Sequence, residues 1–177
     1  MKTRFRFNNS WLALGALVMV LTACTSQSTH VDIKSVTETQ DVTPVNGIRV
    51  SGQPDAAALE VFSASGFETV IDLRGADEQR GIDEQAVVEG LGMTYVSFPV
   101  EGRGAVNFDN AAKLTELIES ADGPVLVHCG SGNRVAALLT LQRSTEGADD
   151  EAALEFGRQA GLTRLEDLVK ERLQESR

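Results

Sequence analysis

The chain has 177 residues, 26 of them acidic and 16 basic, for a formal net charge of −10. That excess argues against nucleic-acid binding and against lying flat on anionic lipid; spread along the chain, it serves solubility. Two cysteines, Cys24 and Cys129, supply no disulfide framework.

Residues 1–23 begin with Lys2, Arg4 and Arg6 and run into an apolar core from Trp11 to Leu21. The core has the length of a secretory signal and is short for a membrane span. It closes on Leu21-Thr22-Ala23-Cys24, which resembles a bacterial lipobox, where cleavage precedes the cysteine and the cysteine carries lipid. The resemblance implies a lipoprotein signal peptide over 1–23, lipidation of Cys24 and a place on the periplasmic face of a bacterial membrane. Thr25 stands where an aspartate would retain the protein at the inner membrane, which favours the outer one. Without residues 1–23 the net charge is −13, so membrane contact is expected through the anchor alone. Cys129 is then the one remaining thiol, a liability in an oxidising compartment unless it is buried or used.

Residues 24–46 are polar and rich in Ser and Thr, and read as a flexible tether. His30, within it, reads as a solvated residue. Residues 47–177 are enough for one domain with a real core. There Ile48-Arg49-Val50 is a strand candidate, and Asp55 caps a helix through Ser65 with Ala58, Leu59, Val61 and Phe62 on its apolar face. Thr69-Val70-Ile71 is a buried strand, 83–90 a second helix, and 93–98 a third strand. Asn107 or Asp109 caps a helix through Glu119, and Val125-Leu126-Val127 is a fourth strand. Only helices follow, near 134–144, 149–160 and 163–174. The order argues for an α/β fold: a small, mostly parallel central sheet with helices on both faces and an all-helical C-terminal third.

The chemistry concentrates in VLVHCGSGNRVAALL, residues 125–139. A strand ends at His128-Cys129, a glycine-bearing turn follows, and a helix begins at Arg134. Backbone N–H groups in such a turn converge on one point, and the helix N-terminus adds partial positive charge. Gly130 and Gly132 permit close approach and positive φ. The Arg134 fork can grip two oxygens of a phosphate or sulfate. A cysteine beneath that anion is placed as a nucleophile. The pattern contains no metal-ligand spacing, and no metal or cofactor is expected.

This loop, together with Ser51-Gly52-Gln53-Pro54, Thr69 to Arg74 and Tyr95 to Val100, resembles the cysteine-dependent dual-specificity and tyrosine phosphatases. Within them it is most similar to the phosphatase-like domain of bacterial "beta-lactamase hydrolase-like" proteins. The resemblance implies a hydrolase that passes through a phosphocysteine and acts on a phosphorylated protein or small molecule. Cys129 would be the nucleophile, and Arg134 with the amides of Gly130, Ser131, Gly132 and Asn133 would hold phosphate. His128 would tune the cysteine from the strand end. Glu101 would be the general acid, with Asp109 second. Three departures stand against this. Four residues separate Cys129 from Arg134, where such loops usually have five; Val135 stands where a hydroxyl residue is usual; and no aspartate occupies the place of Glu101. The four-residue loop also resembles rhodanese-type sulfurtransferases, whose cysteine carries a persulfide. A third reading is a phosphate- or sulfate-binding module with little turnover. The helical C-terminal third speaks against the rhodanese alternative.

Overall fold

The protein is described by a computed structural model over residues 43–45 and 48–175. The signal-peptide region, Cys24 and His30 lie outside the described residues. Five strands form one sheet: β1 (Thr43–Val45), β2 (Ile48–Ser51), β3 (Thr69–Asp72), β4 (Thr94–Ser97) and β5 (Val125–His128). Their order is β1-β2-β5-β3-β4, with β5 at the centre. β5 runs parallel to both neighbours, with Val127 opposite Val50 and Ile71. β1 pairs antiparallel with β2, Val45 against Ile48. Residues 43–45 thus belong to the sheet, contrary to their reading as tether. A three-residue edge strand is too short for its pattern to stand out from the polar residues before it.

Side chains on a strand alternate between the faces of the sheet, and here that alternation divides the core in two. Val125, Val127, Ile71 and Leu73 face α3 (Phe108–Glu119), α4 (Asn133–Thr145), α5 (Asp150–Gln159) and α6 (Glu166–Glu175). Leu126 and Val70 face α1 (Ala56–Ala64) and α2 (Glu84–Gly90), where Phe62 and Phe67 meet edge to face at 4.9 Å. The sheet therefore carries helices on both faces. Among the described residues no strand follows β5.

Four helices begin on a side-chain cap. Asp55, Asp83, Asn107 and Asp149 accept from the backbone N–H of Ala58, Ala86, Asn110 and Ala152 at 2.8 to 3.2 Å. Each satisfies a donor that the first helical turn leaves open. The cap of α3 is Asn107, not Asp109. α4 differs: it starts from Gly132, in the left-handed region at φ 76°, with no side-chain cap.

α4 is the central helix of the C-terminal layer, and Val135, Ala136, Ala137, Leu138 and Leu141 are all 0% exposed. α5 crosses it closely at Gly157. A methyl group there would overlap the Thr140 hydroxyl and lie 3.0 Å from Leu162 Cδ2. Thr140 cannot swing aside freely, because its hydroxyl donates to Ala136 O at 2.7 Å. Gly157→Ala is expected to cost about 1–3 kcal/mol by overpacking. Denaturant unfolding should show a lower midpoint at unchanged slope, and a smaller penalty in a Thr140→Ala background.

Candidate active site

The turn after β5 is held from behind by the end of β2. Cys129 N–H donates to Ser51 O at 3.4 Å, and Ser131 forms a backbone bridge with Gly52. This is the structural work of the Ser51-Gly52 motif. Gly132 has the positive φ expected of it; Gly130 does not. A Cβ at Gly130 would sit at ordinary contact distance, 3.5 Å, from Arg134 Nη2 and Glu78 Oε2. A small side chain would therefore fit at this position, and its backbone conformation does not demand glycine.

Cys129 lies at the base of the turn, 1% exposed, on the α4 side of the sheet. Arg134, on the first turn of α4, reaches back over it. Its Nη1 donates to Leu73 O at 3.4 Å and to Val100 O at 3.2 Å. The fork itself is taken by Glu78, with Nη1–Oε1 at 2.5 Å and Nη2–Oε2 at 2.7 Å. Arg134 is held above its ordinary pKa chiefly by the Glu78 hydrogen bonds, against its burial, with the Cys129 thiol beside it adding to the rise. Glu78 is correspondingly pushed down by Arg134, against partial burial. In this state a carboxylate stands where an anionic ligand would meet the guanidinium. Glu78 also accepts from Gly75 N at 2.8 Å. An open cleft of about 410 Å³ is lined by Glu78, by Gly130, Ser131, Asn133 and Arg134, and by Arg164 and Leu165.

Behind the cradle, on the opposite face of the sheet, lies a buried charge network. Arg74 donates through Nε to Asp72 Oδ1 at 2.9 Å and through Nη2 to Oδ2 at 3.0 Å, and also pairs with Glu84. Tyr95 Oη donates to Asp72 Oδ2 at 2.9 Å. His128 Nε2 lies 2.7 Å from Glu84 Oε1, although neither ring nitrogen meets hydrogen-bond geometry. Asp72, Arg74 and His128 are 0% exposed and Glu84 is 1%. Burial raises the Asp72 pKa, but the Arg74 hydrogen bond and the positive charges around it prevail and bring it down to about 2. Asp72, Glu84 and His128 have ligand atoms within 4.8 Å of one another, yet both carboxylates already pair with the Arg74 guanidinium, and Asp72 with Arg80 as well. His128 is adjacent to Cys129 in sequence but faces the other way, toward Asp72 and Glu84.

Glu101 follows Val100, whose carbonyl holds Arg134. Its own carboxylate turns onto Gly75 and accepts from Ala76 N at 3.3 Å. A Cβ at Gly75 would meet that carboxylate, and the exposed side chain would have to shift. Asp109 lines a separate cleft with Arg172 and Glu175, away from the cradle's lining. Arg103 is exposed and pairs with Glu171 at 3.5 Å. The structure therefore brings Cys129, Arg134 and the turn together, turns the Glu101 carboxylate onto Gly75 and Ala76, outside the cleft's lining, and separates Asp109. Glu78, Glu84 and Arg164 were not legible as site residues. They look like ordinary surface charges in a chain full of acids, and only the fold brings them in.

A parallel sheet with a cysteine turn feeding an uncapped, arginine-bearing helix defines a phosphatase-like α/β domain of the dual-specificity and tyrosine type. The chain belongs to the family described as "DSP-PTPase phosphatase fused to NAD+ Kinase", whose model matches residues 25–172. It is 31% identical over 120 residues to the "beta-lactamase hydrolase-like protein" of Agrobacterium fabrum, and 35% identical over 104 residues to that of Xylella fastidiosa. Those stretches cover 65% and 56% of this chain but only 28% and 24% of the relatives, so the chain spans about a quarter of their length. Among solved structures, a candidate phosphatase from Neisseria meningitidis is 27% identical with a TM-score of 0.65, covering 75% of this chain and 95% of that one. TpbA from P. aeruginosa has the same fold at 19% identity, TM-score 0.57, over 76% of this chain and 89% of its own.

Asp72 is held below its ordinary value of 3.8, so the stability it contributes is complete above about pH 4 and is lost as pH falls toward 2. Acid titration of unfolding free energy should show a loss of roughly 2 kcal/mol over that interval that is missing in Asp72→Asn. Glu78→Gln is expected to tighten binding of inorganic phosphate about three- to tenfold, by freeing a fork that the Leu73 and Val100 carbonyls still aim. Isothermal titration on the Cys129→Ser background would measure it, and weaker binding would mean that Glu78 orients Arg134 rather than competing for it.

Proposed function

We propose that the protein is a cysteine-dependent phosphatase that hydrolyses a phosphate monoester through a phosphocysteine. The observation that carries this is the start of α4: an uncapped helix N-terminus with Arg134 held over Cys129. The other helix starts with described caps spend a carboxylate or amide on their open donors; this one keeps them for a ligand. A phosphate accepts from the N–H groups of residues 130–134, and Arg134 exchanges Glu78 for two phosphate oxygens. Cys129 Sγ then attacks phosphorus; the S–P bond forms as the ester P–O bond breaks. Glu101 gives the leaving oxygen a proton. Water next attacks the phosphocysteine, Glu101 takes its proton, and inorganic phosphate leaves. Val135 is buried in the core, so the helix offers no hydroxyl there to assist the second step. That points to phosphocysteine breakdown as the slow step.

Family membership supports this reading over sulfur transfer. A cysteine-to-serine variant of TpbA, 21% identical with a TM-score of 0.52 over 76% of this chain and 95% of that one, was solved with phosphotyrosine. That complex supports a phosphorylated substrate for this chain too. We further propose that the domain works on the periplasmic face of a bacterial membrane, anchored by lipid on Cys24. The Leu21-Thr22-Ala23-Cys24 motif supports this. Fatty-acid labelling in cells should mark the wild type and be lost in Cys24→Ser.

The full chain, purified in detergent under reducing conditions, should release phosphate from an aryl phosphate. Cys129→Ser should lower kcat by roughly a thousandfold or more. Cys129-dependent thiocyanate formation from thiosulfate and cyanide, without phosphate release, would overturn the proposal. Glu101→Gln should slow release of a basic alcohol far more than release of an acidic phenol, the mark of a lost proton donor.

A further inference from the structure

Arg164 stands across the cleft from the arginine already described. Its Nη2 donates to Ser131 Oγ at 3.0 Å, so it is attached to the cysteine turn itself. The segment that carries it is not left to wander. Asn133, the first residue of α4 and 5% exposed, clamps it with its side-chain amide. Nδ2 donates to Gly161 O at 3.1 Å and to Thr163 Oγ1 at 2.5 Å, and Oδ1 accepts from Leu165 N at 3.0 Å. One side chain thus fixes the position of Arg164 relative to the cradle.

The charge state of Arg164 is the second observation. Arg74, Arg80, Arg103, Arg134, Arg143, Arg158 and Arg172 each pair with a carboxylate. In a chain with 26 acidic side chains, Arg164 instead meets a neutral hydroxyl. Among the described residues it pairs with no carboxylate, and it stands at the rim of the cleft. The cleft, at about 410 Å³, is several times larger than one phosphate group requires. The carboxylate that lines it, Glu78, is spoken for by Arg134.

We propose that Arg164 and Ser131 form a second anion subsite, and that the substrate is a phosphate monoester bearing another anionic group, a carboxylate or a second phosphate, next to the scissile one. This rests on the phosphatase reading and names its substrate class. Arg134 holds the phosphate that reacts, and Arg164 selects what is attached to it. Ser131 keeps Arg164 at the rim until the second anion takes its donors.

The test compares kcat/KM of the full chain for phenyl phosphate, 3-carboxyphenyl phosphate and benzene-1,3-diyl bisphosphate. The wild type should prefer at least one doubly anionic probe by roughly three- to tenfold, and which of the two it prefers separates carboxylate from phosphate. The preference ratio should fall to about one in Arg164→Gln and be partly kept in Arg164→Lys. A wild type without preference, or an Arg164→Gln that slows all three probes and leaves the ratio unchanged, would overturn the subsite. If no probe is hydrolysed, the phosphatase reading fails instead, and titration calorimetry decides the subsite separately. Pyrophosphate binding tighter than phosphate in the wild type but not in Arg164→Gln would uphold it; equal binding in the wild type would refute it.

Discussion

The burial of the Arg74 guanidinium between Asp72 and Glu84 is the constraint on which the rest of the site depends. A fully buried cation is costly unless it is paired, and here two carboxylates pair it, while the Arg74 backbone N–H also donates to Asp72. The pairing locks the chain from Asp72 to Gly75 as it leaves β3. That segment then does the work of the other face: Leu73 O accepts from Arg134, and Gly75 N–H donates to Glu78. Asp72 and Leu73 point to opposite sides because strand side chains alternate. One short run of residues therefore anchors a charge network behind the sheet and helps to hold Arg134 in front of it.

The second element is a helix start left open on purpose. Capping the first turn with an aspartate stabilises a helix, and α1, α2 and α5 all use one. At α4 an aspartate would place negative charge against the anion that the cradle is shaped to take. Glycine at the cap forgoes that stabilisation, and the surrounding core compensates: α4 is packed between α3, α5 and α6 with Val135, Ala136, Ala137, Leu138, Thr140 and Leu141 fully buried. The helix is held by what it touches along its length, which leaves its first turn free for chemistry. Asn133 extends the same economy, since the residue that opens the helix also clamps the segment carrying Arg164.

The resting site is self-neutralised. Cys129 is buried, and Arg134 is engaged by Glu78 rather than by solvent. In a strongly acidic protein this is an economical way to keep an arginine ordered beside a thiol without an anion bound. It also sets a threshold: a ligand must offer the fork more than a carboxylate does, which a dianionic phosphate can and a singly charged anion cannot easily match. Arg164, which among the described residues meets a serine hydroxyl rather than a carboxylate, would on the proposed subsite tilt that comparison toward ligands with charge in two places.

Local pattern was enough for much of this. The β-branched runs, the helix caps and the Cys129–Arg134 turn depend on neighbours within a few residues, and such features are legible wherever backbone geometry follows local chemistry. The helical C-terminal third was legible for the same reason, and with it the preference for a phosphatase-like fold. The edge strand at Thr43–Val45 was not, because three residues carry no period and their pairing is made by β2. The roles of Glu78, Glu84 and Arg164 were decided by tertiary structure alone. Glu78 meets an arginine 56 residues away, and Arg164 meets a serine 33 residues away. A charged side chain announces its type in the sequence but not its partner, because Coulombic and hydrogen-bonded pairs are chosen by distance in space. The sequence by itself determined that a cysteine and an arginine flank one glycine-bearing turn between a strand and a helix; folding decided which charges stand around them.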